Sequence, residues 1–550
     1  MAKCKKELSD FLVQVEALDE CRYFNDIQPV CSEDTRPPLT IIREQFIQQK
    51  DPWFAVESVW KWLDKVRTKL PKDGSVQQQQ ALDKLTSTFE EMSESAMKRL
   101  GFCCGLQRLV APLKACSGCS FEIKEGATFY YLERRDRSLC VRCYEELDMK
   151  GWEKRTLTAD YPEEKVGCKK CGLTFHKVCV SYIEKVWQSQ RKTPFWQSQS
   201  KTLFKCEQCR KAGNGKSRVL FKSKSREIQQ ISAKNLPSCV LSTKLESRVK
   251  KYLAENDASE VEVTIKVFSS LDRTQVQPQF KKLYGDRTPD TFPYCAKSIY
   301  AFTRVEEQEV CIFGMNTQEY GSDCPAPNRG TIYIAYLDSA QFFEPTGLRG
   351  KVYKQILMGY LKHASELGFK KACIWSCVPA GQLEYFFYRR PSIQKALPQE
   401  QLNVWYKGML DKCKEEKIIT GFDLLYKLPN NRLTDMPYYE GDIFPQLMEI
   451  LIKEVQREKL HGSFSSRLKS KISNSPITGQ FWITLGQGSS TIRDPDNLLV
   501  CDVARTRCNI IKFFKSPTPL PYQFSDLRQA AYATKALVFQ MAEDCKNNRT

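Results

Sequence analysis

One stretch restricts the possible folds more than any other: TIYIAYLDSAQFFEPTGLRGKVYKQILMGYLKHASELGFKKACIWSC, from Thr331 to Cys377. Its opening, Thr331 to Leu337, is rich in β-branched and aromatic residues and predicts a buried strand. Beyond Pro345 a helix is predicted from Arg349. Val352, Tyr353, Ile356, Leu357, Tyr360, Leu361 and Ala364 recur at i, i+3, i+4 and form one apolar face. Gly368 is placed as a C-cap, and Ala372 to Trp375 as a second strand. Strand, loop, helix and strand in this order make a βαβ-like unit of an α/β domain. Arg349 beside Gly350 at the helix N-terminus suits a pyrophosphate, since free N–H groups, helix dipole and guanidinium act together. A core helix with a surface arginine satisfies the same pattern.

Around this unit lies a chain of 550 residues, enough for several domains that each bury a core. The formal net charge of +19 favours acidic partners such as nucleic acid, phosphate-rich cofactors or chromatin. No apolar run is long enough to cross a bilayer, and MAKCKKELSD has no signal-peptide apolar core. With no sign of secretion, the 24 cysteines argue for thiolate metal ligands rather than disulfides. Only His176, His363 and His461 are present, so a histidine-based triad is disfavoured and proton chemistry falls to Tyr, Asp, Glu, Cys or water.

The cysteines are spaced for metal. Cys116/Cys119, Cys140/Cys143, Cys168/Cys171, His176/Cys179 and Cys206/Cys209 each enclose two residues, so each pair can present two ligands to a tetrahedral zinc. Cys103 and Cys104 are available as a sixth half-site, which would make three zinc ions. From Cys209 to Tyr252 the composition turns basic, with twelve Lys or Arg against two Asp or Glu, as in a linker or a solvated charge run.

Several words of the central stretch, in order, carry a family resemblance. TIYIAYLDSAQFF, LRGKVYKQILMGYLKHASELG, CIWSC and WYKGMLDK, with FGMNTQEYGSDCPAPNRG just upstream, resemble the acetyltransferase domain of the CREB-binding-protein family of nuclear coactivators. The match is ungapped from about Glu319 to about Glu416 and weaker over most of the chain. It implies a multidomain α+β protein in the nucleus, with a GNAT-like α/β acetyltransferase core over 236–550. Upstream it implies a PHD finger with an inserted RING-like zinc module over 106–212 and a basic linker over 213–235. Leaving out Cys140 and Cys143, the metal ligands run four Cys, one His, three Cys, as in a PHD finger; those two then belong to the RING-like insert. Residues 1–105, with helical patterns over Leu8–Leu18, Leu39–Lys69 and Val76–Leu100, resemble a degenerate bromodomain. The loop between Val30 and Leu39 is short, and Leu70 stands where the family's pocket has Asn, which removes an amide donor.

The resemblance also implies roles. Tyr406 matches the general acid; Trp375 and Trp405 match residues framing the lysine tunnel and the cofactor. Leu337, Asp338 and Ser339 match strand-end contacts to acetyl-coenzyme A, and Arg349 matches a phosphate-facing arginine. Tyr353 and Cys377 match positions near the cofactor or its supporting shell, and Tyr336, Glu440 and Asp442 fall on the substrate groove. Three cofactor positions depart: Gly350 replaces Thr, Ala396 replaces Ile in the covering loop of 376–404, and Gln401 replaces Arg. In VCDVARTRC, Arg505 and Cys508 stand where the family has carboxylates.

The expected activity is acetyl transfer from acetyl-coenzyme A to lysines of histone tails and other lysine-rich proteins, with transcription factors as possible partners. Neither sequence-specific DNA binding nor membrane association is expected. The alternatives are a catalytically weak chromatin scaffold and, on the zinc module alone, a ubiquitin ligase. The sequence predicts further strands at Val261–Phe268, Val310–Met315 and Gln480–Leu485, and helices at Asn403–Ile418 and Ser525–Asp544. Lys453 to Lys471 reads as a short basic, serine-bearing segment where the family has a long self-acetylated loop.

Overall fold

The computed structural model describes short segments between residues 109 and 179 and most of 231–548. The helical reading of 1–105 and the linker up to residue 230 lie outside the described residues, as do Cys103, Cys104, Cys119, Cys171, Cys206, Cys209, Cys377, Ala396 and Asp442. Met1–Gln230 and Ile231–Thr550 form two separate compact units.

The second unit is built on a seven-stranded mixed sheet. Its strands are β1 (Val263–Gln275), β2 (Thr291–Val305), β3 (Gln308–Tyr320), β4 (Thr331–Ser339), β5 (Lys371–Trp375), β6 (Ile419–Asp423) and β7 (Gln480–Leu485). They lie in the order β1-β2-β3-β4-β5-β7-β6. Every pair is antiparallel except β4 and β5, which run parallel in register from Thr331↔Lys371 to Ile334↔Ile374. The single parallel pair is the βαβ unit legible in the sequence, closed by helix α2 (Arg349–Leu367). That helix stops where expected: Gly368 adopts a left-handed φ of 105°, a conformation glycine enters at little steric cost.

Helices pack along the sheet. Helix α1 (Val240–Ala254) buries Leu241, Leu245, Val249 and Leu253, and approaches α2 so closely that a Cβ on Gly359 would meet Leu245 at 2.8 Å. Helix α3 (Gln399–Glu415) follows the covering loop, and α4 (Ile443–Arg457), α5 (Phe464–Asn474) and α6 (Arg507–Lys515) precede the closing helix α7 (Leu527–Asn547). On α7, Thr534 accepts a hydrogen bond from the Cys311 N–H at 2.8 Å and so ties the last helix to β3.

A buried ion network also fixes the frame. Lys297 of β2 reaches Glu319 of β3 at 3.2 Å and Asp494 at 2.6 Å, and the Tyr360 hydroxyl of α2 donates to Glu319 at 2.8 Å. Burial disfavours the charge on Lys297, but Glu319 and Asp494 outweigh it and hold its pKa above the ordinary lysine value. Removing one member would strand a buried charge, a loss of about 3–5 kcal/mol.

Two differences from the sequence reading stand out. Strand β2 was not anticipated, because Thr291–Val305 has no clean alternation: it is buried on both faces over Ile299 to Thr303. The segment from Lys453, read as a short basic, serine-bearing stretch with no helix assigned, completes α4 and contains α5, which meet through Leu451, Ile452, Val455 and Leu468 in one core cluster.

Candidate active site

The sheet opens between β4 and β5. Their ladder ends at Ile334↔Ile374, while β4 continues to Ser339 paired only with β3. The backbone edge of Ala335 to Asp338 facing β5 therefore has no strand beside it. A cavity of about 210 Å³ fills this gap, and Tyr336, Leu337, Asp338, Ser339, Trp375 and Tyr406 line it. The structure thus brings together six of the residues singled out from sequence.

Tyr406 is held on α3 edge-on to Trp405, with ring centroids 5.0 Å apart, and tilted against Phe481 at 5.8 Å. Burial, with a smaller contribution from Tyr385, raises its pKa above the tyrosine range, so the phenol keeps its proton. No described residue shares that hydroxyl in a hydrogen bond. A neutral phenol in a cavity wall can donate to a developing anion. The start of α3 is set by Gln399, whose amide donates to Ser376 O at 2.5 Å and Asn403 Oδ1 at 3.0 Å, while its Oε1 accepts from Val378 N at 3.1 Å.

Asp338 lines the cavity and also holds its rim. Its Oδ2 accepts from Phe386 N at 3.0 Å and Phe387 N at 3.3 Å; its Oδ1 accepts from Arg390 at 2.7 Å and Ser339 N at 2.9 Å. Both oxygens are engaged, so this carboxylate anchors the covering loop. Gln394 fastens the same loop by donating to Ser339 O at 2.7 Å. Tyr353 is likewise a brace: its hydroxyl lies 3.2 Å from both Ile312 O and Ala340 O, under the end of β4.

Arg349, Gly350, Trp405 and Gln401 stand outside the cavity wall, at the junction of α2 and α3. No side chain caps the N-terminus of α2, and Arg349 makes one long contact, to Gln341 O at 3.4 Å. A Cβ on Gly350 would sit 3.6 Å from Trp405 Nε1, so the position is open. The preceding turn takes the Arg349 N–H through Thr346 O, so the guanidinium is what this end offers to a phosphate-bearing group.

At the mouth, Glu440 accepts from the Tyr294 hydroxyl at 3.1 Å, and its carbonyl from Gln318 Nε2 at 2.8 Å. Gly441 has φ 75°, and a Cβ there would lie 2.8 Å from the Tyr336 hydroxyl, so both backbone and space require glycine. Arg507 lies over the rings of Tyr336 and Tyr385 at 5.2 and 5.4 Å, and Arg505 reaches Asp272 at 3.7 Å. Sequence reasoning missed Tyr385, Arg390, Gln394 and Gly441 as lining residues. They sit in turns and irregular loop, where no periodicity marks a face; a Gly between two acidic residues was the one available hint.

In the first unit, the thiols of Cys116, Cys140 and Cys143 lie within 4.8 Å of one another. Cys140 ends a strand (Arg137–Cys140) and Cys143 lies on the helix that follows it (Val141–Glu145). Cys116 Sγ accepts backbone N–H bonds from Gly118 at 3.4 Å and Cys140 at 3.3 Å, which favours a thiolate. Gly118 is pressed to the site, since a Cβ there would meet Cys143 Sγ at 3.2 Å. Three converging sulfur donors fit a tetrahedral zinc. This grouping brings Cys140 and Cys143 beside Cys116. Chain order cannot reveal that a three-stranded sheet (Thr128–Leu132, Arg137–Cys140, Glu153–Thr156) folds them together. Cys168, His176 and Cys179 are buried in the same unit.

Residues 249–471 match the histone acetyltransferase domain KAT3. Protein cbp-1 of Caenorhabditis elegans is 31% identical over 451 residues, which cover 74% of this chain and 21% of cbp-1. Histone acetyltransferase HAC1 of Arabidopsis thaliana is 29% identical over 410 residues, 65% of this chain and 23% of that protein. The probable histone acetyltransferase HAC-like 2 of Oryza sativa subsp. japonica is 35% identical over 261 residues, 41% of this chain and 18% of that protein. The chain thus spans about a fifth of the length of these curated relatives.

Proposed function

We propose that this chain, whose residues 249–471 match the KAT3 histone acetyltransferase domain, acetylates lysines of histone tails and other lysine-rich proteins in the nucleus, as a transcriptional coactivator. The observation that carries the reading is the position of Tyr406: a buried, protonated phenol in the wall of the cavity opened between β4 and β5. Acetyl-coenzyme A supplies the activated thioester. As the lysine amine attacks the thioester carbon, the C–N bond forms and the C–S bond breaks; Tyr406 gives a proton to the departing sulfur, and the proton shed by the amine returns to the phenolate through solvent, so no buried charge remains. Trp375 and Tyr336 hold the acceptor side chain's aliphatic stem, and Glu440 with Asp442 draws its ammonium to the mouth. Leu337, Ser339 and the open edge of β4 orient the cofactor, with Arg349 toward its phosphates. Asp338, through Arg390 and the loop amides, keeps the loop closed and water out.

Zinc is assigned to Cys116, Cys140 and Cys143, with Cys119 as the fourth ligand. It supplies a structural cross-link that holds the small sheet together and takes no part in transfer. The remaining ligand pairs hold two further ions, and 1–105 forms the bromodomain-like module. The test is incubation of the purified chain with labelled acetyl-coenzyme A and histones. Label on histone lysines supports the enzyme; histone binding without transfer above background supports the scaffold instead.

A further inference from the structure

Lys354 is a half-buried cation that no described carboxylate neutralises. It lies on α2 one turn after Gly350, on the same helical face. Its ammonium sits over the Trp405 ring at 5.3 Å, and a Cβ on Gly408 would be 3.6 Å from it. Among the described residues it makes no ion pair and no hydrogen bond. Burial lowers its pKa, and the nearby positive charge of Lys412 lowers it further. Gln401, Trp405, Gly408 and Lys412 repeat at i, i+4, i+7, i+11, so they share the face of α3 turned to this spot. Two ammonium groups converging without a carboxylate oppose folding, and an anion between them would reverse the sign.

The same junction is where this chain lacks two groups implied by its family resemblance. Gly350 has no hydroxyl, and the neutral Gln401 is exposed on α3. Lys354 reaches the same place, and Gly408 faces its ammonium. We propose that Lys354, held by Trp405 and Gly408 and assisted by Lys412, binds a phosphate of coenzyme A in place of the missing threonine and arginine. The proposal rests on acetyl-coenzyme A being the acetyl donor.

Calorimetric titration of the full chain with coenzyme A and with 3′-dephospho-coenzyme A tests it. Lys354→Met keeps the aliphatic stem over Trp405 and removes the charge. It is expected to weaken coenzyme A binding by about tenfold or more, the usual worth of a charge-assisted phosphate contact. Lys354→Arg is expected to restore most of it, and neither variant is expected to lower the melting temperature of the free protein. If the loss with Lys354→Met disappears for the dephospho form, the contact is to the 3′-phosphate; if it persists, to the pyrophosphate. Either result supports the assignment. Undiminished binding of both forms by Lys354→Met, with wild type binding normally, overturns the proposal alone. Absence of coenzyme A binding by wild type overturns the proposal and the donor assignment together.

Discussion

Asp338→Asn removes one charge and one acceptor from a residue that is 5% exposed and engaged at both oxygens. If the new amide replaces Oδ2, its N–H groups face those of Phe386 and Phe387, and two bonds to a charged acceptor are lost. If it replaces Oδ1, it faces the Arg390 guanidinium and Ser339 N–H. In either orientation Arg390 loses its counter-ion while remaining mostly buried. A hydrogen bond to a charged group is worth about 1.5–3 kcal/mol, and breaking a buried pair costs about 3–5 kcal/mol. The expected destabilisation is therefore about 3–5 kcal/mol, concentrated in the loop around 385–390. Denaturant unfolding reads the global value, and limited proteolysis reads the loop, which should be cut many times faster in the variant. Arg390→Met should cost less, because Asp338 retains its backbone donors and one of its carboxylate's four hydrogen bonds is lost. A loss below about 1 kcal/mol in Asp338→Asn, or a larger loss in Arg390→Met, would refute the anchor.

Further outcomes follow from the same structure. Metal analysis of the purified chain should give three zinc ions, and Cys116→Ser should release one; fewer than two in wild type contradicts the zinc reading. Because burial holds the Tyr406 pKa above the tyrosine range, turnover should rise with pH as the substrate amine deprotonates, with no descending limb centred below pH ~10. A descending limb there that is absent in Tyr406→Phe would contradict the placement. Residues 1–105 should not bind acetylated histone peptides, since Leu70 has no amide; saturable, acetyl-dependent binding would show otherwise.

The parts of the fold that carried a strong local signal were legible. The apolar face of α2, its glycine stop, the flanking strands and the closing pair Gln480–Leu485 and Leu527–Asn547 follow from periodicity and capping. Strand β2 did not, because burial on both faces erases the alternation that marks a strand. The helical character of 443–474 was obscured by a lysine- and serine-rich composition, although Leu451, Ile452 and Val455 supply an apolar stripe. At the site, Tyr406, Trp375 and Leu337–Ser339 were found because they lie on regular elements within recognisable words. Arg390, Gln394 and Tyr385 were not, since loop residues meet the cavity through long-range pairing with Asp338 and Ser339 that no spacing encodes. The role of Asp338 needed its partners to be seen: a strand-end carboxylate reads equally as ligand contact or as anchor.

The most direct measurement is turnover of Tyr406→Phe against histones with labelled acetyl-coenzyme A, alongside coenzyme A binding by the same protein. Loss of the hydroxyl leaves the ring packed between Trp405 and Phe481, so cofactor affinity should barely change. Turnover should fall by roughly two to four decades, the usual worth of a positioned general acid. Undiminished turnover in Tyr406→Phe, with an active wild type, would contradict the account.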